Sequence, residues 1–383
     1  MATTPIWAKQ PFKALYSVMF MLKAVALLPL LVLRYGPKSL RPLPEQGLRI
    51  CVVNALVRQL FAYQTATRSN GVADVESGHK KAKERFALVQ PAEAELYRGV
   101  LNLNGSIHPA AVGGIWYPSP LAKITPAPES EKEKVVLHFP GGAFVLAFGT
   151  DANGQDISGI MKQHLHASKT FLGQYRVSSN DETRFPAAIQ DLVTFYHYVL
   201  SLGVAPEDIL LSGDSAAGNL VLGLIRYIEH LKSPQLPPPS GAMLWSPWVH
   251  VTAQANQDYK TSRNAQNDLL IGELLEWGAN AYLPHDDDKS ASSDGLPYIS
   301  PLHHPFKTQV PLFIHAGGSE GFRDTIANFA HEMEGIEGNQ IRYSQTDQAS
   351  HNLLIAYKGL GLDREMAAVA EEANEFFSAY TAA

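Results

Sequence analysis

Cysteine is almost missing from this chain. Cys51 is the single thiol among 383 residues, so no intrachain disulfide can form and no cysteine-built metal site exists. That usage fits a reducing, intracellular compartment. Charge is sparse as well: charged residues make up 18%, the formal net charge is −6, and no sustained lysine and arginine run occurs. A nucleic-acid partner is therefore not expected. Internal repeats are missing, and the one biased tract is Ser233-Pro234-Gln235-Leu236-Pro237-Pro238-Pro239, which reads as a stiff surface connection. Apolar side chains are what the chain has in quantity. At 45% of residues they describe a globular protein with a large core.

One apolar stretch reaches bilayer length. Residues 14–33 are broken only by Ser17, Lys23 and Pro29, and roughly 20 such residues cross a membrane. Lys23, near the middle, would cost about 3 kcal/mol in lipid. Basic residues lie on both sides, Lys9 and Lys13 before it and Arg34, Lys38 and Arg41 after it, so they give no orientation. The continuation Arg34-Tyr35-Gly36-Pro37 offers no small-residue cleavage site, which argues against a cleaved signal peptide. Three readings stay open: a membrane anchor, an interfacial helix, or an apolar cap helix folded over an active site.

The rest of the chain alternates. Residues 48–67 carry Ile50, Val53, Leu56, Leu60 and Phe61 at helical spacing, and polar residues 68–85 read as a linker. Two β-rich runs, 96–103 and 110–117, flank the Asn104-Gly105 turn signal. A Pro/Glu/Lys loop over 118–134 follows. Strands are expected at 135–139, 170–175, 209–212, 241–245, 310–315 and 340–344, with a helix over 187–202. An insertion over 254–284 holds an amphipathic helix at 269–282. Strand–helix alternation of this kind predicts an α/β fold with a mostly parallel central sheet, helices on both faces and a helical cap. The domain boundary is placed at residue 90: cap and linker over 1–90, catalytic domain over 91–383, and 254–284 as a second cap segment.

Between the apolar run Ile209-Leu210-Leu211 and the apolar run Leu220-Val221-Leu222 stands Ser212-Gly213-Asp214-Ser215-Ala216-Ala217-Gly218-Asn219. A serine between a buried strand and a buried helix, flanked by small residues, reads as a nucleophile elbow, whose tight turn leaves no room for larger neighbours. Ala217 stands where the pattern Gly-x-Ser-x-Gly has its second glycine. Its methyl is expected at the tightest strand–helix approach, with Gly218 as the flexible neighbour. Serine is a weak nucleophile without a base and an orienting acid, and the expected chain order is Ser, then Asp or Glu, then His. Glu320 closes a glycine-rich turn after the strand Leu312-Phe313-Ile314-His315, and His351 lies on the loop after the last strand. Asp324 is the rival acid. An oxyanion hole needs converging backbone N–H groups, and His138-Phe139-Pro140-Gly141-Gly142-Ala143-Phe144 supplies a turn for them. Gly142, Ala143 and Ala216 are the expected donors, with Gly141 shaping the turn. His164 and His166 form a His-x-His without an evident third ligand, and His303, His304 and His315 read as structural. No metal and no organic cofactor is expected.

These motifs make the chain resemble the hormone-sensitive-lipase family of α/β-hydrolases, in particular its fungal esterase and acetyl-hydrolase-like members. The resemblance rests on Gly213-Asp214-Ser215-Ala216-Ala217-Gly218-Asn219-Leu220, Ser246-Pro247-Trp248, Tyr298-Ile299-Ser300-Pro301-Leu302, and Tyr175-Arg176 through Phe185-Pro186-Ala187 with Asp191. It covers roughly residue 135 to the C-terminus. It implies a Ser–Asp/Glu–His triad, a His-Gly-Gly-Gly oxyanion loop and a cap built partly from N-terminal helices. Departures occur at Ala217 and Ala143, which replace glycines, and at Pro140, which takes the histidine position. The expected function is cleavage of a small apolar carboxylic ester, such as an acetyl ester of a lipid or secondary metabolite. Acyl transfer or cyclisation in natural-product biosynthesis is the alternative, and a non-catalytic ligand receptor is the third reading.

Overall fold

The computed structural model describes residues 5–70, 82–103, 105–121, 134–285 and 294–381. The Asn104 half of the turn signal, most of the 118–134 loop and the middle of the 68–85 linker lie outside the described residues. Among those described, eight strands form one sheet in the order β1-β2-β4-β3-β5-β6-β7-β8. They are β1 (Phe86–Val89), β2 (Val112–Tyr117), β3 (Val135–Phe139), β4 (Lys169–Gln174), β5 (Ile209–Asp214), β6 (Gly241–Trp245), β7 (Leu312–Gly317) and β8 (Ile341–Thr346). β1 and β2 run antiparallel to their neighbours, and β3 to β8 pair parallel throughout. β3 and β5 are buried at every residue, as a strand covered on both faces must be.

Two apolar layers cover the sheet. On one face pack α4 (Ala187–Ser201), α5 (Ala216–Leu231) and α9 (Arg323–Glu334). On the other pack α3 (Asp151–His164), α10 (Leu353–Leu360) and α11 (Asp363–Thr381). α5 is buried over Ala216–Ile228, so its sequence is apolar almost all round. The long N-terminal helices α1 (Phe12–Tyr35) and α2 (Leu48–Thr67) lie outside the sheet. The insertion forms α6 (Ala255–Thr261) and α7 (Gly272–Tyr282), and the short α8 (Leu296–Ile299) completes the set.

Two expectations need correction. Residues 96–103 form 3₁₀ turns, Ala94–Leu96 and Gly99–Asn102, not a strand. Gly99 has φ +58°, which breaks an extended backbone, and polar tips replace a strand partner: the Tyr227 hydroxyl accepts from Arg98 N (2.8 Å) and donates to Leu96 O (2.9 Å). The sheet also begins at Phe86, ahead of the boundary expected at residue 90. β1 has four residues and follows a polar linker, so it left no periodicity to detect.

Candidate active site

Ser215, Glu320 and His351 come from three different connections at one end of the sheet. The site sits beyond the carboxyl ends of β5, β7 and β8, where an open α/β sheet opens its crevice. Ser215 has φ 53° and ψ −121° between β5 and α5, a conformation that a non-glycine residue holds only when its surroundings fix it. Small neighbours make the turn possible. A Cβ on Gly213 would stand 2.6 Å from the Ala217 carbonyl oxygen, and one on Gly141 would stand 2.8 Å from Ser215 Cβ. Ala217 itself is fully buried. A further close approach falls at Gly218, where a Cβ would be 2.9 Å from Pro247 Cβ. Gly218 is thus a packing position against Pro247, not the flexible relief expected beside Ala217.

The three side chains are joined in a line. Ser215 Oγ lies 2.9 Å from His351 Nε2, and His351 Nδ1 lies 2.7 Å from Glu320 Oε2. The other carboxylate oxygen, Oε1, accepts from Gly317 N at 2.8 Å. With Glu320 accepting at Nδ1, the imidazole carries its proton there and leaves the Nε2 lone pair for the serine hydroxyl. Burial alone would lower the His351 pKa. The hydrogen bond and charge of Glu320, followed by the charges of Asp268 and Asp214, raise it above the ordinary histidine value. Burial pushes Glu320 upward against its bonds to His351 and Gly317, so the two groups titrate as a pair. Asp324, the rival acid, is exposed and pairs with Arg263 at 3.2 Å and Arg323 at 3.6 Å. It makes no contact with His351.

The insertion supplies a residue that sequence reasoning missed. Asp268 is fully buried and accepts four hydrogen bonds. Oδ1 takes them from Leu269 N (2.7 Å) and His351 N (2.8 Å); Oδ2 takes them from Gly321 N (2.9 Å) and the Tyr259 hydroxyl (3.0 Å). One carboxylate therefore ties the loop of His351 to the turn of Glu320. Asn264 reinforces it, donating to the carbonyls of Gly318 and Glu320 at 3.1 Å each. The available signal was a polar run, Asn264 to Asp268, set directly against Leu269-Leu270-Ile271 in an irregular insertion.

A second buried carboxylate sits inside the elbow. Asp214 Oδ2 accepts from Asn352 Nδ2 at 2.6 Å, while Asn352 N donates to Ser246 Oγ at 2.9 Å. These two bonds hold Asn352 in the left-handed region, φ 61°, and so fix the chain just past His351. On its other side Asp214 Oδ1 faces His138 Nε2 at 3.2 Å, a close polar approach whose alignment falls short of a hydrogen bond. Trp245 Nε1 donates to Ser212 Oγ at 3.2 Å, and Ser212 Oγ lies 2.9 Å from His138 Nδ1.

The turn after β3 lies against the nucleophile. Gly142 has φ +134°, and Ala143 and Phe144 have φ 49° and 62°, so two non-glycine residues are held left-handed here. Among the described residues, the N–H groups of Gly142, Ala143 and Ala216 donate to no protein acceptor. They are unspent donors beside Ser215, as an oxyanion site requires. Gly278 of α7 meets this turn so closely that a Cβ there would collide with the Ala143 carbonyl. An aromatic wall follows: Phe144 stacks on Tyr282 at 3.9 Å and on Trp248 at 5.4 Å, Trp248 on Phe322 at 5.8 Å, and Phe322 meets the His351 ring edge-on at 5.3 Å.

Of the other histidines singled out in the sequence, His164, His303, His304 and His315 have local partners. His164 Nδ1 faces Glu371 at 3.1 Å, His303 faces Glu332 at 2.7 Å, and His315 Nε2 lies 3.0 Å from Thr346 Oγ1. Burial pushes the His315 pKa down to about 3, so it stays neutral in the core. Among the described residues no cluster of three or more His, Cys, Asp or Glu is placed to hold a metal ion.

A sequence profile described as α/β hydrolase fold matches residues 136–355, more than half of the chain. The chain belongs to this family. Its resemblance to the hormone-sensitive-lipase group also holds. An acetyl-hydrolase of Streptomyces hygroscopicus is 27% identical over 197 residues, covering 51% of this chain and 60% of that protein. An esterase of Acinetobacter venetianus is 27% identical over 214 residues, covering 54% and 63%. This chain therefore spans about three fifths of the length of the curated relatives it matches. A crystal structure of an esterase from the bacterial hormone-sensitive lipase family superposes with a TM-score of 0.60 at 19% identity, covering 88% of this chain and 99% of that one. At that identity the likeness speaks for the fold.

Proposed function

We propose that the protein is a serine carboxylic-ester hydrolase. The observation that carries this reading is the unbroken line Glu320–His351–Ser215, with distances of 2.7 and 2.9 Å, ending beside unspent backbone amides. In this mechanism His351 Nε2 takes the Ser215 proton as Oγ attacks the acyl carbon, and Glu320 stabilises the imidazolium through Nδ1–H. The carbonyl oxygen becomes an oxyanion held by the N–H groups of Gly142, Ala143 and Ala216. Collapse expels the alcohol, which receives the proton from His351. Water then attacks the acyl-enzyme by the same steps in reverse roles, releasing the acid and free Ser215. No step calls on a metal or cofactor.

The aromatic wall of Phe144, Trp248 and Phe322 favours an apolar ester of moderate size. The likeness to an acetyl-hydrolase supports a short acyl group, such as an acetyl ester of a lipid or secondary metabolite. The same machinery would serve acyl transfer or cyclisation, which differ only in what releases the acyl-enzyme. The unbroken line argues against a receptor that has lost its chemistry. The test is fluorophosphonate labelling of the purified protein and a screen of esters and metabolites, each beside Ser215→Ala. Labelling and turnover are expected to vanish in the variant, with release of the acyl group by water. Labelling that persists in Ser215→Ala overturns the assignment.

A further inference from the structure

α1 offers a surface that the proposed chemistry does not use. Its partly or fully buried positions, Lys13, Tyr16, Ser17, Phe20, Ala24, Leu27, Leu31 and Tyr35, follow a strict three- and four-residue spacing. They form one stripe running the length of the helix. That stripe lies on α2: Tyr16 and Phe20 stack on Tyr63 at 6.0 and 4.5 Å, Ser17 Oγ bonds the Tyr63 hydroxyl at 2.8 Å, and Lys23 Nζ reaches Gln59 Oε1 at 2.6 Å. Apart from Lys23 and Arg34, the rest of the circumference is apolar and open to solvent. Val25 is 79% exposed, Leu33 74%, Leu22 68% and Met21 66%, in a helix of 24 residues whose most apolar 18-residue stretch has a mean hydropathy of 2.1. A surface of this kind needs an occupant.

We infer that this face of α1 docks the protein on an anionic lipid bilayer, with the helix lying in the interface. Charge selects the occupant. The chain is net −6 overall, yet Lys9, Lys13, Lys23, Arg34, Lys38 and Arg41 precede the first acidic residue, Glu45. Basic residues at both ends of an apolar helix, here Lys9 before it and Arg34 and Lys38 at and after its last turn, are what anionic headgroups attract. Trp7, its ring tilted against that of Tyr16 at 5.1 Å, adds the amphipathic ring favoured at a membrane–water boundary.

Geometry decides between lying in the membrane and crossing it. A spanning helix needs lipid or other membrane-embedded segments around its whole circumference. α1 is fastened to α2 through Tyr16, Ser17, Phe20 and Lys23, and α2 is fastened to the hydrolase domain. Arg58 of α2 donates to the carbonyls of Ala265 (2.7 Å), Asp268 (3.2 Å) and Leu270 (3.0 Å), and Asn54 donates to Asn267 O (2.7 Å). Crossing would drag these polar anchors into hydrocarbon or peel α1 from α2. Lying flat requires neither. It also removes the difficulty of Lys23, which sits at the flank on Gln59 instead of at the centre of the lipid face.

The experiment is flotation of the full chain with vesicles of phosphatidylcholine alone and of phosphatidylcholine mixed equally with phosphatidylserine. Binding is expected to the mixed vesicles and to weaken with salt. Leu22→Glu, Val25→Glu and Leu33→Glu change exposed side chains, so each should fold normally. Each should lower binding on the order of tenfold and leave turnover of a water-soluble short-chain ester unchanged. Gln10→Cys and Ser39→Cys, at the two ends of α1, should both react with an impermeant maleimide added outside the vesicles; protection of one end means that α1 crosses. Absence of flotation together with a dimer that Leu22→Glu dissociates assigns the face to a second copy. Chain recovered from cells starting after Tyr35 makes α1 a leader. Any of these three results overturns the inference.

Discussion

Asp268→Asn tests whether the insertion belongs to the catalytic apparatus or merely covers it. The carboxylate accepts four hydrogen bonds of 2.7 to 3.0 Å, and an amide cannot replace it. If Asn Oδ1 keeps the bonds from Leu269 N and His351 N, the NH₂ group faces Gly321 N and the Tyr259 hydroxyl. The hydroxyl can turn and accept. Gly321 N cannot, and a buried unpaired amide costs about 1–3 kcal/mol. The retained bonds lose their charge assistance as well, so a total loss of roughly 2–4 kcal/mol of stability is expected. The functional loss should be larger than stability alone explains. Gly321 adjoins Glu320, and displacement of a catalytic group by about 1 Å can cost around 10²-fold. Asp268 touches no substrate, so kcat should fall with KM little changed. Removing its charge also removes one cause of the raised His351 pKa. His351 acts in its neutral form, so the acid limb of kcat/KM should move to lower pH. The assays are thermal unfolding and pH–rate profiles of folded variant and parent. A variant as active as the parent, with its acid limb unmoved, refutes the reasoning.

Other expectations follow from the same geometry. Glu320→Gln should lose on the order of 10³–10⁴-fold in kcat, since its amide must either oppose Gly317 N–H or hold His351 in the wrong tautomer; Asp324→Asn should stay near parental activity, and the reverse order in a kinetic comparison would exchange their roles. Ala143→Gly should leave hydrolysis within about tenfold, whereas Ala143→Pro removes the N–H and should cost roughly 10²–10³-fold. A folded Ala143→Pro variant with parental turnover would move the oxyanion site elsewhere. Asn54→Ala removes the bonds to Asn267 O and to Ser350 Oγ (2.9 Å), and a several-fold drop in kcat without change in KM is expected from steady-state kinetics.

What could be read in the sequence was what depends on local spacing. The elbow, the acid turn after β7 and the histidine after β8 each lie within a short segment whose small or apolar neighbours announce it. The central parallel strands β3, β5, β6 and β7 were legible because burial on both faces demands nearly continuous apolar runs. β1 was not, since an edge strand of four residues after a polar linker has no pattern of its own. The 3₁₀ turns near Gly99 read as strand because their apolar residues are dense, and what settles them is Tyr227, more than a hundred positions away. Asp268 and His138 escaped for a related reason. Each acts on a residue distant in the chain, His351 or Asp214, and one sequence carries no mark of such pairing.

The cap and the site are therefore one mechanical unit. α2 holds Ser350, the neighbour of His351, through Asn54, and it holds the carbonyls around Asp268 through Arg58. Asp268 in turn holds His351 N and Gly321 N. His351 is thus held from the insertion and α2 as well as from the sheet. α1 stands on the far side of α2, so a force applied at its apolar face reaches His351 through a single helix. Substitutions on the outer surface of α1 leave that chain of bonds intact, whereas substitutions on the inner surface of α2 cut it. That difference separates binding at the proposed lipid face from catalysis, although both depend on the same helix pair.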